Sequence, residues 1–417
     1  MITRCGDRLS LVAALLAVTG LAGCTQPGQP RVASVKASAG KACSDGSTTI
    51  SGGFEGAAFA RCEVIGPDRF RLTIVPEDAR VTNCSPWYAF RADASQSRRV
   101  VIELSYDKCG HRYRPKVRSP STDWTVLPAE AVRLDFSKRR TDDEGKAVAD
   151  ATIFLSLEPG ATAIAGQPFL LPGDYSAWLD RLAGSPSVTR SLLGRSLQGR
   201  PIEMIAIREP GSAPLRQVVL TGRQHPPETT GAIAMQSFTE RLLESDQLAR
   251  SYRARYTTSI VPLLNPDGVV HGNWRHNMGQ TDLNRDWGPF AQPETRLMRD
   301  LLARLAGGPG QRLRLFVDFH STHFDTVYTL SSDQVTDPAG FTEKWMAAYQ
   351  ALLPDQKVRV QPGYNAKLPT AKTWVYQTYR VPTATYEIGD ETDPVQIRRS
   401  ARAAAEAMMA TLLASDA

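Results

Sequence analysis

The chain has 417 residues, too many for one ordinary domain and comfortable for two, and 42% of them are apolar, so each domain can bury a core. The formal net charge of +6 is spread along the chain. There is no arginine-rich tract and no basic helix with interleaved aromatics, so a nucleic-acid partner is not favoured.

Arg4 and Arg8 make a charged start, residues 9–21 are an almost unbroken apolar run, and Leu21-Ala22-Gly23-Cys24 follows at once. Charge, a short apolar stretch and small residues before a cut define a secretory signal peptide over residues 1–23. The run is too short for a standard spanning helix. Leu-Ala-Gly-Cys at that place resembles the bacterial lipobox. That resemblance implies cleavage before Cys24, a lipid on its sulfur and new amino group, and attachment to a membrane through Cys24; a plain signal peptide cut nearby is the alternative. Thr25, rather than Asp, after the cysteine implies the outer membrane of a bacterial cell envelope, facing the periplasm. Residues 24–41, rich in Gln, Pro, Gly, Ala and Ser, read as a tether.

Cys43, Cys62, Cys84 and Cys109 remain after the signal and Cys24. An even set in an oxidising compartment predicts two disulfides, with three pairings open. No two of these cysteines have the short spacing a four-thiolate zinc site needs. Beyond Cys109 there is no cysteine, so a metal there must use histidine and carboxylates. Over residues 42–160 short alternating or apolar runs, such as 70–75, 99–104 and 151–157, are separated by turn residues. They predict a small antiparallel β-sandwich. From 167 to 417 the texture changes: helices are expected over 174–182, 229–245, 295–305, 340–353 and 395–413, and strands over 217–221, 257–264, 313–319 and 382–388. Such alternation predicts an α/β sheet covered on both faces.

Of six histidines, His225 falls just past the strand ending at Thr221 and His320 at the end of the strand over 313–319. Ligands gather at the carboxyl ends of strands in open α/β sheets. In Gln224-His225-Pro226-Pro227-Glu228 a carboxylate follows three residues on, across two stiffening prolines. Two His and one Glu leave a fourth zinc position for water, as a hydrolytic site requires. His323 competes with His320 for the third place. His271 and His276 flank Arg275 and read as loop residues shaping a cleft; His111 reads as structural.

Asn265-Pro266-Asp267-Gly268, Gly272-Asn273-Trp274-Arg275, Asp282-Leu283-Asn284-Arg285 and Thr385-Tyr386-Glu387-Ile388 occur in this order around Asp318-Phe319-His320-Ser321. The order resembles the metallocarboxypeptidase family. The ten-residue step from Arg275 to Arg285 is most similar to its cytosolic-carboxypeptidase branch, whose members carry a β-sandwich in front of the catalytic domain. Pro86-Trp87-Tyr88-Ala89-Phe90, Tyr113-Arg114-Pro115 and Trp124 are similar to that sandwich. The resemblance implies a mixed sheet flanked by helices, and one zinc ion per chain held by His225, Glu228 and His320. It implies Glu387 as general base, Arg275 as the cation facing the oxyanion, Asn284 and Arg285 as the grip on a peptide's C-terminal carboxylate, and Asp282 as the carboxylate orienting His225. Tyr364, Tyr376 and Tyr379 stand as candidates for the family's substrate-capping tyrosine. Lys372 and Arg380 lie where the pocket for the last side chain is shaped, and a cation there predicts a preference for C-terminal Glu or Asp. The expected function is a zinc-dependent carboxypeptidase acting on peptides, cell-wall peptides among them. A zinc amidase or deacylase of acyl-amino acids is the second reading. A non-catalytic peptide-binding lipoprotein is the third, and the presence of Glu387 beside a complete ligand set counts against it.

Overall fold

A computed structural model describes residues 41–415; the expected signal peptide, Cys24 and nearly all of the tether lie outside the described residues. Two sheets make the N-terminal layers. One has six antiparallel strands, in the order Ala42–Ser44, Thr48–Ser51, Ala89–Ala94, Gly160–Ala165, Lys116–Arg118 and Thr125–Val126. The other has five, in the order Arg61–Gly66, Arg69–Ile74, Arg98–Tyr106, Ala147–Leu157 and Val132–Thr141. The antiparallel expectation needs one correction: Arg69–Ile74 runs parallel to Arg98–Tyr106. The chain between them crosses through Ala89–Ala94 of the other sheet, so it returns in the same direction. Alternation along Arg98–Tyr106 buries Val100, Ile102, Leu104 and Tyr106 between the sheets. Disulfides join Cys43 to Cys62 and Cys84 to Cys109, with Cα–Cα separations of 5.6 and 6.2 Å that suit the bond. The first links the two sheets.

The second region is built on an eight-stranded mixed sheet in the order Val188–Arg195, Pro201–Ile207, Tyr256–Val261, Arg216–Gly222, Arg312–Thr322, Thr383–Gly389, Thr326–Thr329 and Val360–Pro362. The four central strands are parallel. They read as apolar runs because both faces are covered. Val218, Leu220, Leu315, Val317 and Phe319 face a core shared with helices Thr229–Leu242, Phe341–Ala351 and Pro394–Ser415. The alternate residues Val219, Val261 and Phe316 face a second core with helices Pro293–Gly307 and Ala371–Tyr379. From Arg216–Gly222 the chain moves to one neighbour, Tyr256–Val261, and then back across to the other, Arg312–Thr322. That reversal opens a crevice at the carboxyl ends of the central strands, where this class of sheet places its ligands. No described helix is long and apolar enough to cross a membrane.

The sandwich is locked to the second region through a loop of the latter. Trp274 is buried in the sandwich core, and its indole N–H donates to the carbonyl of Trp87 at 3.1 Å. Gly272, at φ 63°, lets the loop turn where a Cβ would come within 2.9 Å of the carbonyls of Gly56 and Ala57. Arg112 and Lys116 of the sandwich pair with Asp390 and Glu391 at 2.7 and 2.8 Å.

A candidate metal centre and substrate cleft

Strand Arg216–Gly222 ends in a sharp turn at Arg223, a non-glycine residue at φ 55°. Its buried guanidinium holds the turn by donating to Pro226 O at 2.8 Å and to the Tyr175 hydroxyl at 3.0 Å. The turn brings His225 and Glu228 to the crevice, and the helix Thr229–Leu242 starts from Glu228. On the next strand His320 is paired in register with Glu387, so the two side chains stand side by side on one face of the sheet. Gly231 makes the approach of helix to strand feasible: a Cβ there would lie 2.2 Å from the carbonyl oxygen of His320.

The donor atoms of His225, Glu228 and His320 converge within 4.8 Å of one another, all three side chains buried. The Glu228 oxygens lie 2.7 Å from His225 Nδ1 and 2.7 Å from His320 Nδ1. Behind each ring stands another carboxylate: Asp282 accepts from His225 Nε2 at 2.9 Å, and Asp318 from His320 Nε2 at 2.7 Å. An ionised carboxylate only accepts, so each Nε2 carries a proton and each neutral ring presents an unprotonated Nδ1 toward Glu228. Acceptors facing one another at such distances require positive charge between them. Extra protons on the rings or a metal ion supply it, and the two His plus one Glu set suits zinc. The electrostatics follow. Burial disfavours charge on Glu228, yet His225 and His320 hold its carboxyl well below the usual range. Burial would lower His320, but Asp318 and Glu228 hold it well above the ordinary imidazole value. Oxygens Asp318 Oδ1 and Glu387 Oε2 are enclosed without a hydrogen-bond partner among the described residues.

These groups line a cleft of about 560 Å³. Arg275 and Arg285 both line it. Asp282 takes Arg275 Nε at 2.7 Å, so one carboxylate orients both that cation and His225. Among the described residues Arg285 forms no ion pair with a carboxylate, and it donates to the carbonyl of Asn284 at 2.8 Å. Asn284 is held by the Ala371 N–H, which donates to its side-chain oxygen at 2.9 Å. Burial pushes the Glu387 carboxyl up to about 7, against the lowering effect of His320.

The remaining sequence candidates separate cleanly. His323 is exposed and lines a different depression with Phe324 and Asp325. His276 pairs with Asp78 at 2.8 Å and His271 with Gln198 at 2.8 Å. Burial lowers His111 to about 4, and it stacks on Tyr88 inside the sandwich. Lys372 lines the cleft, whereas Arg380 ends the helix Ala371–Tyr379 with its guanidinium over the Tyr376 ring. Of the three tyrosines, Tyr364 lines the cleft; Tyr376 is buried against it and Tyr379 packs on Trp374. The lining residues that escaped the sequence reading include Asn83, Ser85 and Arg112 from the sandwich and Tyr328 from a short strand. None sits in a segment with a chemical signature of its own.

A His–Glu–His cluster at the switch point of a mixed α/β sheet, with a carboxylate and two arginines around it, defines a metallohydrolase-type site. The zinc carboxypeptidase profile matches residues 175–407, and the chain belongs to that family. Among curated relatives it is 27% identical to Cytosolic carboxypeptidase 6 of Mus musculus over 299 residues, covering 66% of this chain and 53% of that protein. It is 35% identical to Cytosolic carboxypeptidase 2 of Danio rerio over 294 residues, covering 64% of this chain and 40% of that protein. The chain thus spans about half the length of these relatives. A metallo-carboxypeptidase from Burkholderia cenocepacia shares the fold with a TM-score of 0.70 at 21% identity, over 88% of this chain and 99% of that one.

Metal content separates the two candidate third ligands. Glu228→Ala and His320→Ala are expected to lower zinc by at least about tenfold, measured by mass spectrometry of dialysed protein, as loss of a direct ligand does. His323→Ala is expected to keep a full zinc complement; loss of zinc in that variant would move the third ligand to His323.

Proposed function

We propose that this protein is a zinc-dependent carboxypeptidase that removes acidic residues from the C-termini of peptides. The observation that carries the reading is the pair of cations Arg285 and Lys372, lining the cleft beside His225, Glu228, His320 and Glu387 and forming no ion pair with a carboxylate among the described residues. A peptide ending in Glu or Asp brings two carboxylates. Arg285 suits the terminal one, because a guanidinium grips a carboxylate in two-point fashion. Lys372 suits the side chain: it donates to Thr329 O and Gly363 O at 2.9 and 2.8 Å, which leaves one ammonium proton for the substrate.

Zinc bound by His225, Glu228 and His320 supplies Lewis acidity, which draws the pKa of a water toward neutrality. Glu387, with its enclosed oxygen and a carboxyl near 7, takes a proton from the attacking water and passes it to the leaving amine. Asp282 takes Nε of Arg275, both terminal guanidinium nitrogens have no hydrogen-bond partner among the described residues, and they stabilise the oxyanion that develops on the scissile carbonyl. Glu387→Gln is expected to lower kcat by about 100- to 10,000-fold with zinc retained; undiminished turnover would remove Glu387 from the reaction. Cleavage of acyl-amino acids in preference to peptides would instead favour the amidase reading.

The acidic preference has a pH signature. Burial lowers Lys372 to about 8, so the free protein carries this charge below that pH and loses it above. Since kcat/KM reports the free enzyme, the advantage of a Glu-ended over a Phe-ended peptide is expected to decline by about tenfold per unit above pH 8. Lys372→Met is expected to abolish the advantage at pH 7. Equal rates for Glu-, Phe- and Lys-ended peptides in the unaltered protein would refute the preference.

Export completes the proposal. The signal peptide, the lipobox-like Leu-Ala-Gly-Cys and the paired cysteines support a protein held by lipid on Cys24 in a bacterial envelope, at the outer membrane facing the periplasm. Its substrates are then envelope peptides rather than the tails of cytosolic proteins. Fractionation checks this: Cys24→Ser is expected in the soluble envelope fraction, and its retention in membranes would dispose of the lipid anchor.

A further inference from the structure

The loop that carries Arg275 has no helix or strand of its own between Gly272 and Asp282, and among the described residues the backbone N–H groups of Trp274, Arg275 and His276 make no backbone hydrogen bond. All three instead converge on a single carboxylate of the sandwich. Glu77 Oε2 accepts from Trp274 N at 2.8 Å, and Oε1 accepts from Arg275 N at 2.9 Å and from His276 N at 2.6 Å. Successive N–H groups closing on one anion form a nest, and charge-assisted bonds of this kind are about twice as strong as neutral ones. The neighbours of Glu77 fasten the rest of the loop. Asp78 pairs with His276 at 2.8 Å, and Arg80 donates to the Gln280 carbonyl at 2.8 Å.

We infer that Glu77 is a positioning residue that sets Arg275 over the cleft, making the sandwich a working part of the catalytic site. This rests on the reading of Arg275 as the cation that meets the oxyanion. The path is short and continuous: the Glu77 carboxylate holds the backbone of Arg275, Asp282 holds its guanidinium, and the same Asp282 holds His225. Glu77 therefore determines where the loop backbone lies, and Asp282 determines where the guanidinium points from it. A cation that stabilises a developing charge must be in place beforehand, and a displacement of about 1 Å lowers turnover on the order of 100-fold.

The test uses the full-length, zinc-loaded protein and a double-mutant cycle, with backbone exchange as a second readout. Glu77→Ala is expected to reduce kcat by about 10- to 100-fold while KM changes less than about threefold, the split expected when only transition-state contacts are weakened. Zinc content stays unchanged. Glu77→Gln, which keeps one acceptor oxygen, falls between. In an Arg275→Ala background, Glu77→Ala is expected to change kcat by less than about twofold, because its effect passes through Arg275. Hydrogen exchange at residues 274–276 is expected to accelerate by about tenfold or more in Glu77→Ala, as orphaned amides open locally. Unchanged exchange at these amides, or an equal loss of kcat with and without Arg275, would overturn the inference. Full turnover by Arg275→Ala would refute the role given to Arg275 in the reaction, and exchange at 274–276 would still decide whether Glu77 holds the loop.

Discussion

The site is organised around a deficit of positive charge. Glu228 is wedged between two imidazoles whose far nitrogens are already committed to Asp282 and Asp318, so acceptor atoms face one another at 2.7 Å on both sides. Such a buried arrangement is stable only with cationic charge at its centre. Without metal a proton can supply that charge, and Asp318 and Glu228 drive His320 in that direction. The same three residues present atoms that could hold a metal ion there. The neighbouring cations are placed so that they do not quench the deficit: Arg275 is tied to the outer carboxylate Asp282 and not to Glu228.

Holding this arrangement falls to strand Arg312–Thr322. Its parallel register aligns Phe319 with Gly222 on one side, just before the turn to His225, and His320 with Glu387 on the other. A slip of one residue would turn His320 into the opposite core. Gly231 belongs to the same constraint. The helix that follows Glu228 touches the backbone of His320 itself, and its N–H donates to the Ser321 hydroxyl at 2.9 Å. His320, Glu387 and the helix start are thus fixed by one strand and the two elements against it.

What could be read from the sequence follows from how local each signal is. The central strands and long helices were legible because their apolar runs and periodicity are local, His225 and His320 because they fall at or just past strand ends, and Glu228 because it follows His225 by three residues. The expected helix over 229–245 ends at Leu242, and a second helix, Gln247–Arg255, follows with Asp246 capping it. The hairpin Val188–Arg195 with Pro201–Ile207 went unread, since its outer strand is largely exposed and lacks an apolar run. The short strands Thr326–Thr329 and Val360–Pro362 exist only through pairing with each other and with Thr383–Gly389. His323 could be told from His320 only by geometry: three residues on, the strand has ended and the side chain has left the crevice. The disulfide pairing likewise needed the fold, because the two sheets decide which cysteines meet.

The sandwich is where local reading reached least and where the structure adds most. Its strands were legible, but Asn83, Ser85 and Arg112 at the cleft lie in irregular segments whose positions depend on the other region. Arg112 reaches Asp390, three residues beyond Glu387, while its terminal nitrogen donates to the carbonyl of Cys84 and the Ser85 hydroxyl. One guanidinium therefore ties the cleft wall from the sandwich to the strand bearing Glu387. Trp274 works in the opposite direction, sent from the catalytic side into the sandwich core, and truncating so large a buried side chain commonly costs about 3–5 kcal/mol. A buried tryptophan from one region and the ion pair of Arg112 with Asp390 from the other join the two across their junction. The sandwich side of the cleft, with Asn83, Ser85 and Arg112, is accordingly held against the end of the strand that bears Glu387.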